Sequence, residues 1–131
     1  MIKELEMVAL IAVGAIIGAL LRFKIAENPL LLWGLSVNVL IINIMGSFIL
    51  GLFSVLSTTL NLNTNYSLFV AIGFCGSLTT MSSFVLETSN YIDNNQILLA
   101  AINILANVGL SLGAIIGGKE IGTLLMERVL A

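Results

Sequence analysis

Long apolar runs separated by short polar connectors are the dominant pattern along this chain. Four such runs are present, at residues 7–21, 30–56, 68–86 and 97–116. A membrane-spanning helix needs about 20 predominantly apolar residues, so the runs are long enough, or nearly so, to cross a bilayer. No alternation typical of a half-buried strand competes with them. The pattern predicts an all-α membrane protein with four transmembrane helices in a single domain covering residues 1–131.

The third run carries an interruption near its middle, where residues 73–80 read GFCGSLTT. Glycine lowers helix stability, and Ser and Thr hydroxyls compete for backbone hydrogen bonds. An unsatisfied backbone group in hydrocarbon costs several kcal/mol, so a broken helix is tolerated only where it is buried in protein or lines a polar cavity. The sequence therefore predicts a break in helix 3 and a functional site beside it.

Composition narrows the possible functions. Only 9% of the residues are charged and 59% are hydrophobic, whereas a soluble domain carries roughly 25% charged residues. With no His and one Cys, the chain has neither a soft-metal cluster nor an intrachain disulfide. Five scattered basic residues make no nucleic-acid-binding face. Because no nucleophile–base pair is present either, we expect a protein that is not an enzyme.

Polar side chains recur inside the apolar runs, where they are expensive to bury and are candidates for function. Asn103, Asn107 and Ser111 are spaced four apart, which places them on one face of the fourth helix. Amides and hydroxyls donate hydrogen bonds, and phenylalanine ring edges are electropositive. A cation pathway would instead require rings of carboxylates. The pattern favours a path for a small dehydrated anion, with ordinary interhelical hydrogen bonding as the alternative.

The interrupted helix suggests a cation site as well. A break there is expected to expose the backbone carbonyls of Gly76 and Thr79. Carbonyl oxygens suit a hard cation such as Na⁺. Such an ion would be structural and would add positive charge near the anion path.

Small residues repeat at intervals of four in three of the helices, as Gly14 and Gly18, as Ser47 and Gly51, and as Gly109, Gly113 and Gly117. Faces of this kind allow helices to approach closely in lipid. We expect them to pack within one protomer, with a subunit interface as the alternative.

The flanking charges give little preference for one orientation in the membrane. Four spans place both termini on one side with Lys3, Lys119 and Arg128, and leave Arg22 and Lys24 on the other. Three against two is a weak bias under the positive-inside rule. Four helices are also few for a pore. We therefore expect a dual-topology dimer of two antiparallel copies.

Three motifs, in order along the chain, resemble those of the Fluc family of fluoride channels, also called CrcB proteins. They are residues 18–23 (GALLRF), 43–51 (NIMGSFILG) and 73–87 (GFCGSLTTMSSFVLE). The resemblance implies a dimer with two pores in the plasma membrane that exports cytoplasmic fluoride passively. It also implies a central Na⁺, held by the backbone carbonyls of Gly76 and Thr79 from both subunits.

The resemblance assigns roles to individual side chains. Asn43 and Phe84 are expected to touch fluoride in the pore, and Arg22 is expected to lie near a vestibule, where it attracts anions or anchors the helix end. Glu87, at the end of helix 3, is expected to be a second vestibule charge, with an interfacial helix-end charge as the alternative. The full set of expected pathway residues is Asn43, Thr80, Met81, Ser83, Phe84, Asn103, Asn107 and Ser111.

Two departures from the family pattern leave the subunit composition open. Met81 replaces the first of two paired phenylalanines, and on the fourth helix Asn103 and Asn107 replace a tyrosine and a serine. The favoured interpretation is a homodimer whose pore is lined by altered side chains. The alternative interpretation is that this chain is one half of a heterodimer. A small multidrug-type transporter is less consistent, because its coupling carboxylate in helix 1 has no counterpart in residues 7–21. A non-transporting scaffold would leave the interrupted helix unexplained.

Overall fold

The computed structural model describes all 131 residues and is mostly helical. Helix α1 covers Ile2–Ala26, α2 covers Asn38–Thr59 and the last helix, α6, covers Ile97–Leu130. Between α2 and α6 lies a composite third segment, Thr64–Asp93. All four segments are long and apolar enough to cross a membrane, which confirms the predicted number of spans.

The third segment is built from four consecutive helical pieces. They are α3 (Thr64–Ser67), a π-helical stretch (Leu68–Cys75), α4 (Gly76–Leu78) and α5 (Met81–Asp93). Thr79 and Thr80 lie between α4 and α5 with extended backbone angles, φ −73° and ψ 153° at Thr79 and φ −148° and ψ 119° at Thr80. The α-helical hydrogen-bond pattern does not continue through extended residues, so nearby backbone groups need other partners.

The start of the second apolar run is not helical, and the expectation that the chain contains no strand was wrong. Leu31–Leu32 and Leu35–Ser36 form a short antiparallel hairpin, β1 and β2. The turn between them needs left-handed backbone, with φ 50° at Trp33 and 87° at Gly34, and glycine adopts such a conformation at little cost. An apolar stretch alone does not distinguish such a hairpin from the end of a span.

Asn38 secures this connector at the first turn of α2. Its amide nitrogen donates to the carbonyl oxygens of Ile25 (2.6 Å) and Asn28 (2.9 Å), and its amide oxygen accepts from the backbone N–H of Leu30 (2.7 Å). Every polar atom of this buried side chain is therefore occupied by the α1–α2 connection.

Helix α6 is longer than the predicted span. It has 34 residues and continues beyond the apolar run 97–116 through the charged segment 119–130. At 1.5 Å per residue its length is about 50 Å, compared with roughly 30 Å for the hydrocarbon core of a bilayer. The helix therefore has enough length to project beyond the membrane.

Glycines allow two close helix contacts that hold the protomer together. Helix α1 packs on the π-helical stretch, where a Cβ at Gly14 or Gly18 would overlap the carbonyl oxygen of Phe69 or Phe74. Helix α2 packs along α6, where Gly51 and Gly118 lie equally close to the opposing backbone. These contacts confirm the packing role expected for Gly14, Gly18 and Gly51.

Gly109, Gly113 and Gly117 differ from the other glycines. No heavy atom lies within 4 Å of a Cβ built at any of the three, so this face of α6 does not pack within the protomer. Only 21 of the 131 residues are buried, and large apolar side chains are exposed along every span. The outer faces are those of a protein surrounded by lipid or by a partner subunit.

Candidate functional site

A cavity of about 350 Å³ lies beside the two extended residues of the third segment. Helices α2 and α6 and the third segment all contribute to its wall. Its lining contains no charged side chain. The polar side chains that line it are Asn43, Ser47, Thr79, Thr80, Asn107 and Ser111, together with the thiol of Cys75. At about 30 Å³ per water molecule, the cavity has room for several waters or for a partly hydrated ion.

Asn43 binds both backbone polar groups of Thr80 with one side chain. Its Oδ1 accepts from the Thr80 N–H (2.9 Å), and its Nδ2 donates to the Thr80 carbonyl oxygen (3.2 Å) and to Asn107 Oδ1 (3.0 Å). Each buried group left without a partner would cost about 1–3 kcal/mol, so this amide contributes directly to the stability of the extended conformation.

The hydrogen bonds continue from Asn107 away from the cavity. Asn107 Nδ2 donates to Asn103 Oδ1 (2.9 Å) and to the Asn103 carbonyl oxygen (3.1 Å). Asn103 Nδ2 donates to Thr88 Oγ1 (3.0 Å), and Thr88 Oγ1 donates to the carbonyl oxygen of Phe84 (2.8 Å). The structure places Asn107 at the cavity wall and does not bring Asn103, another expected pathway residue, to it.

Thr80 also begins α5 through its side chain. Its Oγ1 accepts from the backbone N–H of Ser83 (3.2 Å), as an N-cap does, and lies 3.1 Å from Ser83 Oγ and 3.2 Å from Ser82 Oγ. Ser83 is therefore engaged in capping the helix and does not line the cavity.

Three further expected pathway residues line the cavity in different ways. Ser111 Oγ is buried and has no hydrogen-bond partner, so its hydroxyl is available to a ligand. Phe84 is 7% exposed, whereas Met81 is 70% exposed and extends to the outside of the protomer. The phenylalanine is held by its own protomer, and the methionine is free to contact lipid or another subunit.

The two expected vestibule charges lie away from this cavity. Glu87 Oε1 accepts from Ser36 Oγ (2.9 Å), and Tyr91 Oη accepts from the Ser36 N–H (2.7 Å), which together attach α5 to the hairpin. Glu87 Oε2 is buried without a partner. Arg22 lies near the end of α1 and makes no ion pair within the chain.

The carbonyl oxygens of Gly76 and Thr79 have both lost their ordinary helical donors. The Thr80 N–H, which would bond to Gly76 in a continuous helix, is bound to Asn43 Oδ1. The Ser83 N–H, which would bond to Thr79, is bound to Thr80 Oγ1. Both residues line the cavity. A pair of carbonyls released in this way fits the chemistry of a hard cation.

Sequence reasoning overlooked Thr88, Ser36 and Tyr91. Thr88 lies four residues after Phe84, on the same face of the helix, and that spacing was the available signal. The roles of Ser36 and Tyr91 depend on the hairpin, whose contact with α5 spans more than 50 residues of sequence. No local pattern indicates that contact.

The fold and the cavity define this class of protein as a multi-span membrane protein with a cavity between its helices that is lined by both apolar and uncharged polar side chains. A family model described as "CrcB-like protein, Camphor Resistance (CrcB)" matches residues 9–119. The chain belongs to the CrcB family.

Two relatives illustrate the similarity, and both are named "Fluoride-specific ion channel FluC". The protein from Nitrosopumilus maritimus (strain SCM1) is 59% identical over 119 residues, which cover 91% of this chain and 94% of the relative. The protein from Methanocaldococcus jannaschii is 42% identical over 108 residues, covering 82% of this chain and 85% of the relative.

Proposed function

We propose that this protein is a fluoride-selective ion channel of the plasma membrane that lets cytoplasmic fluoride leave passively. Membership of the CrcB family and the names of its relatives support the ion. The observation that carries the proposal is the cavity, which joins amide and hydroxyl side chains to an aromatic ring without any charged side chain. Such a lining stabilises a small anion through hydrogen-bond donors and positive ring edges, and offers no carboxylates to attract cations.

Fluoride would meet two kinds of donor in this cavity. Ser111 offers a hydroxyl that has no partner in the protein. Asn43 offers an amide hydrogen that is otherwise donated to Asn107 Oδ1. A fluoride ion is a stronger acceptor than an amide oxygen, because hydrogen bonds to charged groups are roughly twice as strong as neutral ones. It would therefore replace Asn107 as the acceptor while Asn43 keeps both of its bonds to Thr80.

Passive export needs no coupling ion or energy source beyond the membrane potential. Fluoride enters from acidic surroundings as neutral HF and dissociates in the cytoplasm. The anion then leaves through the channel, driven by about 2.3 kcal/mol per 100 mV. The cavity lacks the carboxylate that a proton-coupled exporter would use, which favours a channel over a small multidrug-type transporter.

We propose that the extended pair Thr79–Thr80 is the break in helix 3 and that two antiparallel copies of the chain meet there. Gly76 is exposed on the protomer surface, and its carbonyl and that of Thr79 lack their helical donors. A two-fold axis would bring the same two carbonyls from each copy together. Four carbonyl oxygens are suitable ligands for a structural Na⁺, which would supply fixed positive charge beside the anion path.

A homodimer is the favoured assembly. Asn103 and Asn107 are hydrogen-bonded within their own protomer, so neither requires a complementary residue from a different subunit. Met81 is exposed and flexible enough to pack against its own counterpart or a phenylalanine. One subunit of a heterodimeric fluoride channel is the alternative.

Reconstitution of the chain alone tests the function. Liposomes loaded with fluoride are given a K⁺ gradient and valinomycin, and a fluoride electrode records efflux. We expect rapid fluoride efflux, with chloride retained in matched vesicles. If a correctly folded dimer gave no fluoride efflux, the chain would not be a self-sufficient channel. Return of efflux on co-expression with a related subunit would then indicate the heterodimer. Equal release of chloride would contradict selectivity.

Removing Na⁺ is expected to weaken the dimer. At a Na⁺ concentration about 100 times the dissociation constant, bound Na⁺ stabilises the folded dimer by about 3 kcal/mol. Exhaustive dialysis into N-methylglucamine at constant ionic strength removes this stabilisation. Thermal unfolding of the purified dimer, before and after return of Na⁺, measures the loss. Atomic emission of the dialysed sample reports whether sodium has left. Unchanged unfolding in a sodium-free sample would exclude the site.

A further inference from the structure

Three amides, those of Asn43, Asn107 and Asn103, form one hydrogen-bonded chain with a fixed direction. An asparagine amide can ordinarily be turned over, exchanging its nitrogen and oxygen. Here one end is set by the backbone, since the Thr80 N–H only donates and its carbonyl only accepts. Asn43 therefore donates its remaining N–H to Asn107, whose amide oxygen accepts it. Asn107 then has only its nitrogen left to offer to Asn103.

The other end of the chain is set by Thr88. Its hydroxyl donates to the carbonyl oxygen of Phe84, so its lone pairs are directed to other donors and accept from Asn103 Nδ2. Because Asn103 Nδ2 donates to Thr88, Asn103 Oδ1 faces Asn107 and accepts from its Nδ2. This orientation agrees with the direction set from Thr80. The two ends therefore impose the same orientation on all three amides.

Burial separates the members of this chain into two groups. Asn103 is 0% exposed and Thr88 is 8% exposed, and neither lines the cavity, whereas Asn107 and Asn43 do. An ion in the cavity is therefore in reach of Asn43 and Asn107 and not of the other two. No charged side chain bonds to any member of the chain, and none of the members titrates near neutral pH.

We propose that Asn103 and Thr88 are positioning residues for fluoride permeation and not fluoride ligands. Through their bonds to Asn107 Nδ2 they help to hold the Asn107 oxygen toward Asn43, and so keep in place the acceptor that fluoride has to replace. The inference rests on the proposed channel function. It also accounts for the asparagines at positions 103 and 107, because a tyrosine and a serine have no amide to orient.

Loss of the Thr88 hydroxyl would remove one end of the constraint. Asn103 Nδ2 would then lack its acceptor, and the Asn103 amide would no longer be held with its oxygen toward Asn107. Asn107 Nδ2 would keep its bond to the Asn103 carbonyl oxygen (3.1 Å), but its bond to Asn103 Oδ1 would weaken. The Asn107 amide would then be held less firmly with its oxygen toward Asn43, and the exchange with fluoride would change.

Thr88→Val is the direct test, because valine preserves the shape of threonine and lacks the hydroxyl. The assay is single-vesicle efflux at low protein density, which gives separately the fraction of vesicles with a working channel and the rate in those vesicles. We expect an unchanged fraction and a rate about tenfold lower, as for the loss of one buried hydrogen bond. Thr88→Ser restores the hydroxyl and should return the rate to within about twofold of wild type.

Thr123→Val is the matched control. Thr123 makes the same bond to the backbone carbonyl four residues earlier (Lys119, 3.1 Å), but it is exposed and lies outside the amide chain. Its rate should equal that of wild type. If Thr88→Val does not fold, Thr88→Cys replaces it, since a thiol fills the site but is a weaker acceptor and should give a rate below that of Thr88→Ser.

The remaining outcomes separate this inference from the function on which it rests. A silent wild-type protein overturns the proposed function and this inference with it. A conducting wild type with an equally fast Thr88→Val overturns the inference alone. The inference is also overturned if Thr88→Val lowers only the fraction of active vesicles, or if Thr88→Ser fails to restore the efflux rate. Either result would give Thr88 a merely structural role.

Discussion

Asn43→Ala is expected to lower the rate of fluoride efflux by at least about 100-fold. The substitution removes three hydrogen bonds at once, two to the backbone of Thr80 and one to Asn107. Two buried backbone groups then lack partners at about 1–3 kcal/mol each, so the extended conformation of Thr80 is no longer favoured. The cavity also loses an amide donor. Efflux from fluoride-loaded liposomes measures the rate, and size-exclusion chromatography verifies the dimer.

Asn65→Ala is the control for this variant. Asn65 is exposed in α3, and its side chain makes no hydrogen bond. Its rate should be that of wild type. If Asn43→Ala conducted at the wild-type rate in a folded dimer, the amide would be neither a pathway donor nor a necessary partner of Thr80, and the proposed pathway would have to be abandoned.

Gly18→Ala is expected to destabilise the folded protein strongly and to lower its yield. A Cβ at this position would overlap the carbonyl oxygen of Phe74 and lie about 3.1 Å from the backbone nitrogen of Leu78, so α1 would have to move away from the third segment. Backbone atoms yield less readily than side-chain ends, and overpacking a tight site typically costs 1–3 kcal/mol or more. The yield of monodisperse protein after extraction and its thermal unfolding measure the effect.

Gly117→Ala provides the comparison for a glycine on an open helix face. Nothing lies within 4 Å of the added methyl group in the protomer, and alanine favours a helix over glycine by about 1 kcal/mol. The variant should fold with wild-type stability or better. A loss as large as that of Gly18→Ala would show that this face of α6 contacts a partner subunit. Normal folding of Gly18→Ala would contradict the packing of α1 on the third segment.

Asn103 and Asn107 illustrate what sequence spacing can predict. Their interval of four correctly placed them on one face of the fourth helix, both pointing into the protomer. From the same spacing, both side chains were predicted to line the fluoride pathway. The structure separates them, because only Asn107 reaches the cavity while Asn103 lies behind it against Thr88. That distinction depends on where α5 crosses α6, which no local pattern contains.

The glycine positions also show that spacing alone does not predict which residues make a contact. Gly14, Gly18 and Gly109, Gly113, Gly117 have equivalent spacing, yet the first two make close backbone contacts and the last three make none. On α6 the contact with α2 is made by Gly118 and Gly122 instead. A small-residue repeat permits close approach but does not select the helix that approaches.

The sequence by itself determined the number of spans, the motifs that indicate the family and the residue types available for chemistry. Hydropathy depends on a segment's own side chains, and so it is visible in the chain without a fold. Only the tertiary structure decided the hairpin before α2, the attachment of Glu87 to Ser36 and the direction of the amide chain. Asn43 and Asn107 are 64 residues apart in sequence and 3.0 Å apart at their polar atoms. A hydrogen bond depends on distance and angle between such groups, and both are set by packing.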